Sequence, residues 1–594
     1  NQKFDKFIPI NKSNFIFNLD NYHFIYDPLQ DINSNLYDHI INIVTKGADI
    51  LRNTTLPPKI QSYNPYLEAL LQNELSKKFL KHIELGQIWG PFTDETLPPQ
   101  FINNIFCSPI YGHFKDSGKA VCIIDMSAPL NHSINSQIDE HKKRVKYLSF
   151  LQLCTLIYKI GNDGYLWTID AEDAYYRIPI NKKFHHLLAI KWRNKYLIFK
   201  CLPFGLSTAP SIYNKFADGL KWACDFHKPN LFINTKNKTS YVEHYLDDFV
   251  GGSDNFNIAN KQMNYLSYLF EFLNLPTSKR KCVGPFKTID VLGWNFNTSP
   301  TMTIAITEKK RLKYLKYFTK IYENNYITIN ILEKLTGYAR HCVLIIPNAK
   351  PFCRAFDVQK HYLLKCQKND KSITNSKKFK ISKETSHDIN MWISFFKYSK
   401  YYILPLKYII KPSSLVTMNV WTNATTTIGF GGFTNKGNYF KSIWNYNILP
   451  TSISKHHKNL INYFELAALV LSAILFAKNW KFHYITFYCD NTTAVSAVNK
   501  GNTSLDSTYY YPINNLIKIL SILSLKFNFH FRAIHIEGKL NTISDALSRN
   551  FDKPLNYEQE NLPKINFKHI TRSSSKMIKL IYSTFFNKFV IPKL

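Results

Sequence analysis

Two adjacent aspartates interrupt an apolar and aromatic run in HYLDDFVGGS, residues 244–253. Strands are depleted in aspartate, and their side chains alternate between faces, so at least one of these carboxylates should face a packed layer. A buried charge is costly unless a partner or a metal ion compensates for it. The stretch alone leaves two interpretations open: a metal site, or a tight turn, for which Asp-Asp before Gly-Gly is ordinary chemistry.

The length and charge of the chain indicate several domains and a polyanionic partner. A chain of 594 residues is too long for one core and should hold three to five domains or subdomains. The net charge of +33 favours nucleic acid as the partner. Lysine far outnumbers arginine, and Asn and Ile are abundant, so an AT-rich genome also accounts for part of this charge.

The cysteines and the apolar segments argue against secretion and against a membrane. The ten cysteines are scattered, without a C-x-x-C pair or a zinc-ligand cluster, which indicates free thiols in a reducing compartment. The longest apolar stretch, Leu466 to Ala477, is too short to span a bilayer and predicts a buried helix. We therefore expect an intracellular protein of the cytoplasm or nucleus, with no membrane partner.

Four further segments place polar residues where strands or helices end. GYLWTIDAEDAYYRIPI (164–180) is an apolar strand ending in Asp170, and CLPFGLSTAPSIYNKF (201–216) is a Pro/Gly turn before a helix. NLPTSKRKCVGPF (274–286) puts Lys and Arg after a helix, and VLGWNF (291–296) is a short strand. With the aspartate pair, these segments stand in the order of the palm motifs of polymerases.

This set of motifs resembles reverse transcriptases, above all those of the DIRS-class, tyrosine-recombinase retrotransposons. The resemblance lies in YLDDF, in LPFGL-S-AP and in LGW after a Lys-Cys pair, and it covers roughly residues 85–550. It implies an RNA-directed DNA polymerase that copies retrotransposon RNA. The implied fold is a multidomain α/β and α+β chain, in which a right hand of fingers, palm and thumb precedes an RNase H-like α/β domain.

The resemblance assigns the polymerase chemistry to three carboxylates. Nucleotidyl transfer needs two Mg²⁺ ions, for which Mn²⁺ can substitute, and Mg²⁺ prefers carboxylate oxygens. Asp170, Asp247 and Asp248 would supply these ligands, which favours the metal site over the plain turn. Lys281 is the candidate general acid for pyrophosphate, with Lys279 as the neighbouring alternative.

Five residues are expected around the incoming nucleotide. Tyr175 matches the aromatic steric gate that selects dNTPs over rNTPs, although a core tyrosine is the alternative. The backbone N–H groups of Asp173 and Ala174 would hold phosphate oxygens in the turn. Phe204 and Gly205 would shape the floor near the nucleotide and the template.

In the predicted fingers hairpin, Lys115 and Lys119 are placed to contact the triphosphate. The family usually has an arginine four residues before the position of Asp125, and this chain has Val121 there. This departure leaves open which cationic side chain binds the triphosphate. The alternative is that both lysines are solvated turn residues.

A second set of acids resembles an RNase H site of the retroelement type, in which four acids hold two Mg²⁺ ions. Glu465, Asp490 and Asp545 match three acids, and His535 matches the mobile histidine. The first acid is replaced by Asn423, and an amide is a poor bridging ligand for Mg²⁺. We expect little or no RNA cleavage. Asn423 is either an introduced substitution, which we favour, or a natural loss.

The expected organisation has seven parts. They are an N-terminal extension (1–84), fingers (85–160), palm (161–300), thumb (301–365), a connection or tether (366–415), an RNase H-like domain (416–550) and a basic tail (551–594). The expected partners are an RNA template, a DNA primer, their hybrid and dNTPs, bound by a monomer. The alternatives are a non-catalytic RNA-binding scaffold, which the intact acids oppose, and an RNA-dependent RNA polymerase, which Tyr175 and the RNase H-like domain oppose.

Overall fold

The computed structural model divides the chain into two compact units. The first is Asn1–Leu292 with Phe296–Thr301, and the second is Gly293–Asn295 with Met302–Leu594. The structure describes residues 17–50, 64–115, 118–226, 240–370, 372–398, 402–411, 416–444, 460–504, 510–550 and 568–569.

The described part of the first unit combines helices and short strands. The helices are α1 (Leu19–Ile32), α2 (Ser34–Lys46), α3 (Ala69–Glu84), α4 (Glu140–Lys143), α5 (Phe150–Ile160), α6 (Ala209–Phe226) and α7 (Phe256–Phe272). The strands are β1 (Ile88–Phe92), β2 (Ile110–Phe114), β3 (Ala120–Ile124), β4 (Tyr165–Asp170), β5 (Ala189–Trp192), β6 (Lys195–Phe199), β7 (Ser240–Tyr245), β8 (Asp248–Ser253), β9 (Val283–Phe286) and β10 (Thr288–Val291).

An antiparallel sheet in the order β7-β8-β4-β9 forms the centre of the first unit. Trp167 of β4 is fully buried and donates its indole N–H to Gln262 of α7 at 3.1 Å. A Cβ at Gly251 of β8 would lie 2.2 Å from the Trp167 ring, so only glycine allows this packing. The glycine pair that follows the aspartates therefore belongs to a strand under a large aromatic side chain.

One prediction for the N-terminal half is confirmed. The hairpin expected in the fingers is the antiparallel pair β2–β3, and helix α3 precedes it. Asp116 and Ser117, between the two strands of this hairpin, lie outside the described residues. The other strands of this half form a sheet in the order β1-β6-β5.

The N-terminal helices α1 and α2 belong to the core of the first unit. Tyr26 of α1 and Ile40 of α2 are fully buried. A Cβ at Gly219 of α6 would lie 2.3 Å from the Ile40 side chain, so α2 and α6 pack closely. His39 of α2 reinforces this contact, because its Nε2 lies 3.0 Å from the carbonyl oxygen of Ile212.

The second unit has a larger set of elements among its described residues. The helices are α8 (Glu308–Asn324), α9 (Ile329–Val343), α10 (Arg354–Asn369), α11 (Lys383–Lys397), α12 (Lys407–Ile410), α13 (Leu460–Phe476), α14 (Thr492–Lys500), α15 (Tyr510–Phe527) and α16 (Thr542–Arg549). The strands after β11 (Trp294–Asn297) are β12 (Thr303–Ile306), β13 (Tyr326–Ile327), β14 (Phe379–Lys380), β15 (Ile403–Pro405), β16 (Val416–Ala424), β17 (Gly429–Thr434), β18 (Asn438–Ile443), β19 (His483–Cys489), β20 (His530–His535) and β21 (Lys568–His569).

A six-stranded sheet in the order β20-β19-β16-β17-β18-β21 dominates the C-terminal part. Strands β16, β19 and β20 are mutually parallel, and β16, β17 and β18 form an antiparallel meander. The last strand, β21, comes from the segment predicted as a basic tail and pairs with β18. This arrangement agrees with the α/β pattern expected after residue 416.

Helix α13 crosses this sheet as a buried core helix. With the turn that follows it, the apolar segment Leu460–Asn479 is long enough to cross a membrane, yet 78% of its most apolar window is buried inside the unit. Leu466, Leu469 and Val470 are completely buried in the same cluster as the sheet residues. The predicted buried helix is therefore present, and it is longer than the apolar stretch suggested.

The lysine-rich segment expected to be a tether contains a packed helix. Helix α11 begins inside it at Lys383, and its Trp392 is fully buried with an indole N–H donated to Phe352 O at 3.1 Å. Phe396 lies one turn further on and is also fully buried. The lysines before the helix lower the average hydrophobicity, but the apolar residues at helical spacing determine the structure.

Candidate active sites

The two strands that carry the acids of the first unit pair with each other. Asp170 is the last residue of β4 and lies opposite Asp248, the first residue of β8. The turn between β7 and β8 contains Leu246 in a left-handed conformation (φ +54°), followed by Asp247. The N–H of Ala171 donates to the carbonyl oxygen of Asp247 at 2.9 Å, which fixes the turn beside the end of β4. The structure therefore brings all three predicted acids to one edge of the sheet.

Burial and mutual repulsion make this cluster electrostatically strained. Burial, a hydrogen bond with Asp170 and the charge of Asp247 raise the pKa of Asp248 to about 7. Burial, followed by the charge of Asp170, also raises the pKa of Asp247. Closely spaced carboxylates that resist ionisation are stabilised by a cation among them.

One cation already contacts the cluster. The Nζ of Lys281 donates to Asp170 Oδ1 at 2.7 Å, and this hydrogen bond raises the pKa of Lys281. Asp170 is only 6% exposed, so the contact compensates for a buried charge. Lys279 lies in the same short 3₁₀ helix (Lys279–Lys281), and the geometry favours Lys281 as the lysine of the site.

The donor set suits a hard divalent cation. Asp170, Asp247 and Asp248 offer carboxylate oxygens from two adjoining backbone segments, and Mg²⁺ selects such oxygens. Lys281 contacts one oxygen of one acid only, so the other carboxylate oxygens of the cluster are not engaged by it.

The residues predicted around the nucleotide also cluster. Tyr175 is half-buried, with its ring centroid 5.2 Å from that of Phe204 and 5.7 Å from that of Tyr213. Burial and then the charge of Asp247 raise the pKa of Tyr175, which places its hydroxyl near the acids. Gly205 has φ +105°, and a Cβ there would lie 2.2 Å from the carbonyl oxygen of Ile124, so glycine is required.

The turn after Asp170 has an unusual backbone. Asp173 adopts a left-handed conformation (φ +53°) directly before the short 3₁₀ helix Ala174–Arg177. Conformations of this kind can turn successive N–H groups toward one point and bind an anion. The phosphate-holding role of Asp173 and Ala174 stays a prediction.

Lys115 and Lys119 face each other across the tip of the β2–β3 hairpin. The N–H of Lys115 donates to the carbonyl oxygen of Lys119 at 3.0 Å, and both side chains are exposed. A third lysine, Lys78 of α3, donates to the carbonyl oxygen of Ala120. Burial, followed by the charge of Lys119, lowers the pKa of Lys78. Lys78 was missed from the sequence because it precedes the hairpin by more than thirty residues.

The second unit gathers its predicted acids at the ends of β16 and β19. Glu465 of α13 is 2% exposed, and its Oε1 accepts the N–H of Ala424 at 2.9 Å. Glu465, Cys489 and Asp490 have potential ligand atoms within 4.8 Å of one another. Burial, and next the charge of Asp490, raises the pKa of Glu465 well above its usual range. Cys489 was not anticipated from the sequence.

Asn423 takes a specific place in this second cluster. It is 3% exposed, and its amide Nδ2 donates to Asp545 Oδ1 at 2.7 Å. The same oxygen accepts the Nε–H of Arg549 at 2.8 Å. His535 lies near the opposite acid, with its Nε2 3.1 Å from the backbone oxygen of Asp490. In the second cluster, the amide of Asn423 and the guanidinium of Arg549 thus hold Asp545, whereas in the first cluster Lys281 contacts Asp170.

This second donor set does not fit a pair of divalent cations. The Asn423 amide donates to Asp545 where a bridging carboxylate is needed, and its oxygen carries no negative charge, so it is a poor bridging ligand for Mg²⁺. Arg549 adds a positive charge at Asp545 Oδ1.

A comparison with protein families finds a match for part of the chain. Residues 125–296 match the family model of the reverse transcriptases (RNA-dependent DNA polymerases). This region is a reverse transcriptase domain. The match indicates RNA-directed DNA polymerase activity, and its range includes Asp170, Tyr175, Asp247, Asp248 and Lys281.

The chain as a whole has weak similarity to solved structures. The foamy viral protease-reverse transcriptase in complex with RNA/DNA hybrid is 12% identical, with a TM-score of 0.41, 94% of this chain covered and 66% of that chain. The same foamy viral protein in complex with dsDNA is 12% identical, with a TM-score of 0.40 and coverages of 87% and 97%. No curated protein matches the chain.

Proposed function

We propose that this chain is a reverse transcriptase of a DIRS-class, tyrosine-recombinase retrotransposon, with an RNase H-like domain that does not cleave RNA. The observation that carries the proposal is the register of β4 with β8, which sets Asp170 opposite Asp248 beside Asp247, inside the region that matches the reverse transcriptase family. The DIRS assignment rests on the motifs YLDDF, LPFGL-S-AP and LGW.

The three acids would hold two Mg²⁺ ions, which activate the primer 3′-hydroxyl and stabilise the triphosphate and the leaving group. Lys281, whose Nζ contacts Asp170, would give a proton to the departing pyrophosphate. The ring of Tyr175, fixed against Phe204 and Tyr213, would exclude a 2′-hydroxyl from the sugar site. The substrates are then an RNA template, a DNA primer and dNTPs.

In the RNase H-like domain, the amide of Asn423 and the guanidinium of Arg549 both donate hydrogen bonds to Oδ1 of Asp545. The domain would retain a surface for the RNA/DNA hybrid, since its sheet and its helices α13 and α16 are in place. Its function would be to hold the hybrid during synthesis and leave the RNA uncut.

The test is primer extension on an RNA template with Mg²⁺ and either dNTPs or rNTPs. We expect extension with dNTPs, weak incorporation of rNTPs and no extension by Asp247→Asn, while this variant binds the primer–template as the unchanged protein does. If the unchanged protein binds the duplex but extends no primer, the non-catalytic scaffold replaces the polymerase. Preferred use of rNTPs would instead make the chain an RNA polymerase.

A further inference from the structure

A strongly basic cavity lies in the first unit, outside the acid cluster. It has a volume of about 620 Å³, and its walls come from α2, from the segment around α4, from residues 181–183 and from α6. Its positively charged lining residues are Lys46, Lys142, Arg144, Lys183 and Lys215. Among the lining residues, all of which the structure describes, Asp49 is the single acid.

Most of the positive charge in this basic cavity is not neutralised locally. Lys183 pairs with Asp49 at 3.0 Å, and Lys142 lies 3.8 Å from Asp139. Lys46, Arg144 and Lys215 make no ion pair with any residue in the described ranges. Several like charges around one concave surface repel each other, so binding of an anion with more than one negative charge would stabilise the cavity.

Helix α6 separates the basic cavity from the acids. Ser211 and Lys215 line the cavity and are four residues apart, on one face of the helix. Tyr213 lies on the opposite face, where its ring contacts that of Tyr175 at 5.7 Å. The cavity is therefore a different site from the nucleotide site, and α2 of the N-terminal extension supplies one wall of it.

A basic segment connects the cavity with the acid cluster. Residues 141–147 read HKKRVKY; the segment lines the cavity up to Arg144 and ends at Tyr147. The Tyr147 ring stacks on Tyr245 with centroids 5.0 Å apart, and Tyr245 pairs with Asp248 across the β7–β8 hairpin. Three residues span at most about 11 Å, so Arg144 lies close to the aromatic pair beside the acids.

We propose that the basic cavity binds the phosphates of the unpaired nucleic-acid strand, a few nucleotides from the catalytic acids. A cavity of this volume is the size of a small-ligand site and admits part of one strand, not a double helix. A strand is favoured over a free polyphosphate because the positive charge continues along residues 141–146 toward the acids. The inference rests on the proposed polymerase function, and it gives helix α2 a part in template binding.

The test compares the double variant Lys46→Gln/Lys215→Gln with the control Lys159→Gln/Lys261→Gln, which removes the same charge from exposed lysines outside the cavity. Each protein is titrated with a DNA-primed RNA template that is blunt or has a 5′ template overhang of about ten nucleotides, which spans about 34 Å at ~3.4 Å per stacked nucleotide.

The cavity variant should lose about tenfold in affinity for the overhang substrate, as the loss of two solvent-exposed ion pairs with phosphates would give. Its plot of log affinity against log salt concentration should be shallower by about 1.4 on that substrate. Binding of the blunt duplex should be unchanged in both variants. Addition of one nucleotide to a primer with a one-nucleotide overhang should also be unchanged, which shows that the variant is folded.

The proposal is overturned if the cavity variant loses equal affinity for blunt and overhang substrates, or if the control variant loses as much. It is also overturned if tripolyphosphate binds the unchanged protein and not the cavity variant while the overhang preference of both stays equal, since the cavity then serves a small polyphosphate. A failure of the unchanged protein to extend primers would contradict the proposed function alone, because the binding comparison does not depend on catalysis.

Discussion

The acid clusters of the two units are built alike and neutralised differently. In each unit, carboxylates converge where strands of one sheet end. Burial raises the pKa of two acids in each cluster, namely Asp247 and Asp248 in the first and Glu465 and Asp490 in the second. In the first cluster, the three acids face one another with one lysine at one oxygen. In the second, an amide donates directly to an acid and an arginine shares the same oxygen.

This difference shows how one oxygen-to-nitrogen exchange changes the chemistry of a cluster. Asn423 has nearly the shape of an aspartate, and the start of α16 is held against β16 by Asn541, which donates to Thr422 O at 3.1 Å. The exchange removes one negative charge and adds an internal hydrogen bond. The first cluster therefore depends on cations for neutralisation, and the second satisfies its acid within the chain.

The largest effect should follow from weakening the first cluster. In Asp247→Asn, one ligand of the metal pair is lost. The transition state then loses several kcal/mol of stabilisation, which lowers the rate of nucleotide incorporation by at least ~10³-fold. Single-nucleotide incorporation under single-turnover conditions measures the loss. The control is Asp254→Asn, an exposed acid just after β8. If Asp247→Asn retains a rate close to that of the control, the acids of the first cluster are not the catalytic ligands.

Restoring the second cluster should produce activity. In Asn423→Asp, the donor that faces Asp545 becomes a carboxylate, and RNA cleavage in a hybrid should rise by ~10²-fold or more with Mg²⁺. Asn419→Asp, on the same strand, adds the same charge outside the cluster and should remain without cleavage. Equal cleavage by the two variants would show that position 423 is not what disables the site.

The sugar selectivity of the first cluster should depend on an aromatic ring. Tyr175→Ala removes the ring packed against Phe204, and the preference for dNTPs over rNTPs should fall by about 10–100-fold. Tyr175→Phe keeps the ring and should keep the preference, which separates the ring from its hydroxyl. The ratio of incorporation efficiencies for dNTP and rNTP gives the result. An unchanged ratio in Tyr175→Ala would show that this tyrosine is a core residue and not a steric gate.

The smallest effects should be opposite changes in thermal stability. Without divalent metal, Asp248→Asn relieves repulsion in the first cluster and should raise the unfolding midpoint by about 2–4 °C. Asn423→Asp introduces repulsion with Asp545 and should lower the midpoint by a similar amount. Added Mg²⁺ should reduce the difference in unfolding midpoint between each variant and the unchanged protein. Scanning calorimetry in EDTA and in Mg²⁺ checks the signs, and shifts of the same sign would contradict the comparison.

The sequence predicted best those features that depend on local spacing. Asp170 at a strand end and the pair Asp247–Asp248 before the β8 glycines could be placed because the strand pattern and the turn residues are local. The choice between Lys281 and Lys279 could not be made, because a 3₁₀ turn decides which of two lysines points at Asp170.

Features that depend on distant segments were missed or interpreted differently. The hydrogen bond between Asn423 and Asp545 joins residues 122 positions apart, and no local sequence pattern predicts it. Lys78 reaches the fingers hairpin from α3 for the same reason. Composition also misled at the predicted tether, where many lysines obscured the helical spacing of Trp392 and Phe396.

The central claim is that this chain copies RNA into DNA and leaves the RNA whole because of Asn423. One gel with both strands of a DNA-primed RNA template labelled, run for the unchanged protein and for Asn423→Asp, tests it most directly. We predict equal primer extension by both proteins, with intact RNA for the first and fragments for the second. Fragmented RNA with the unchanged protein, or intact RNA with both, would contradict the account of the second cluster, and no extension by either would contradict the account of the first.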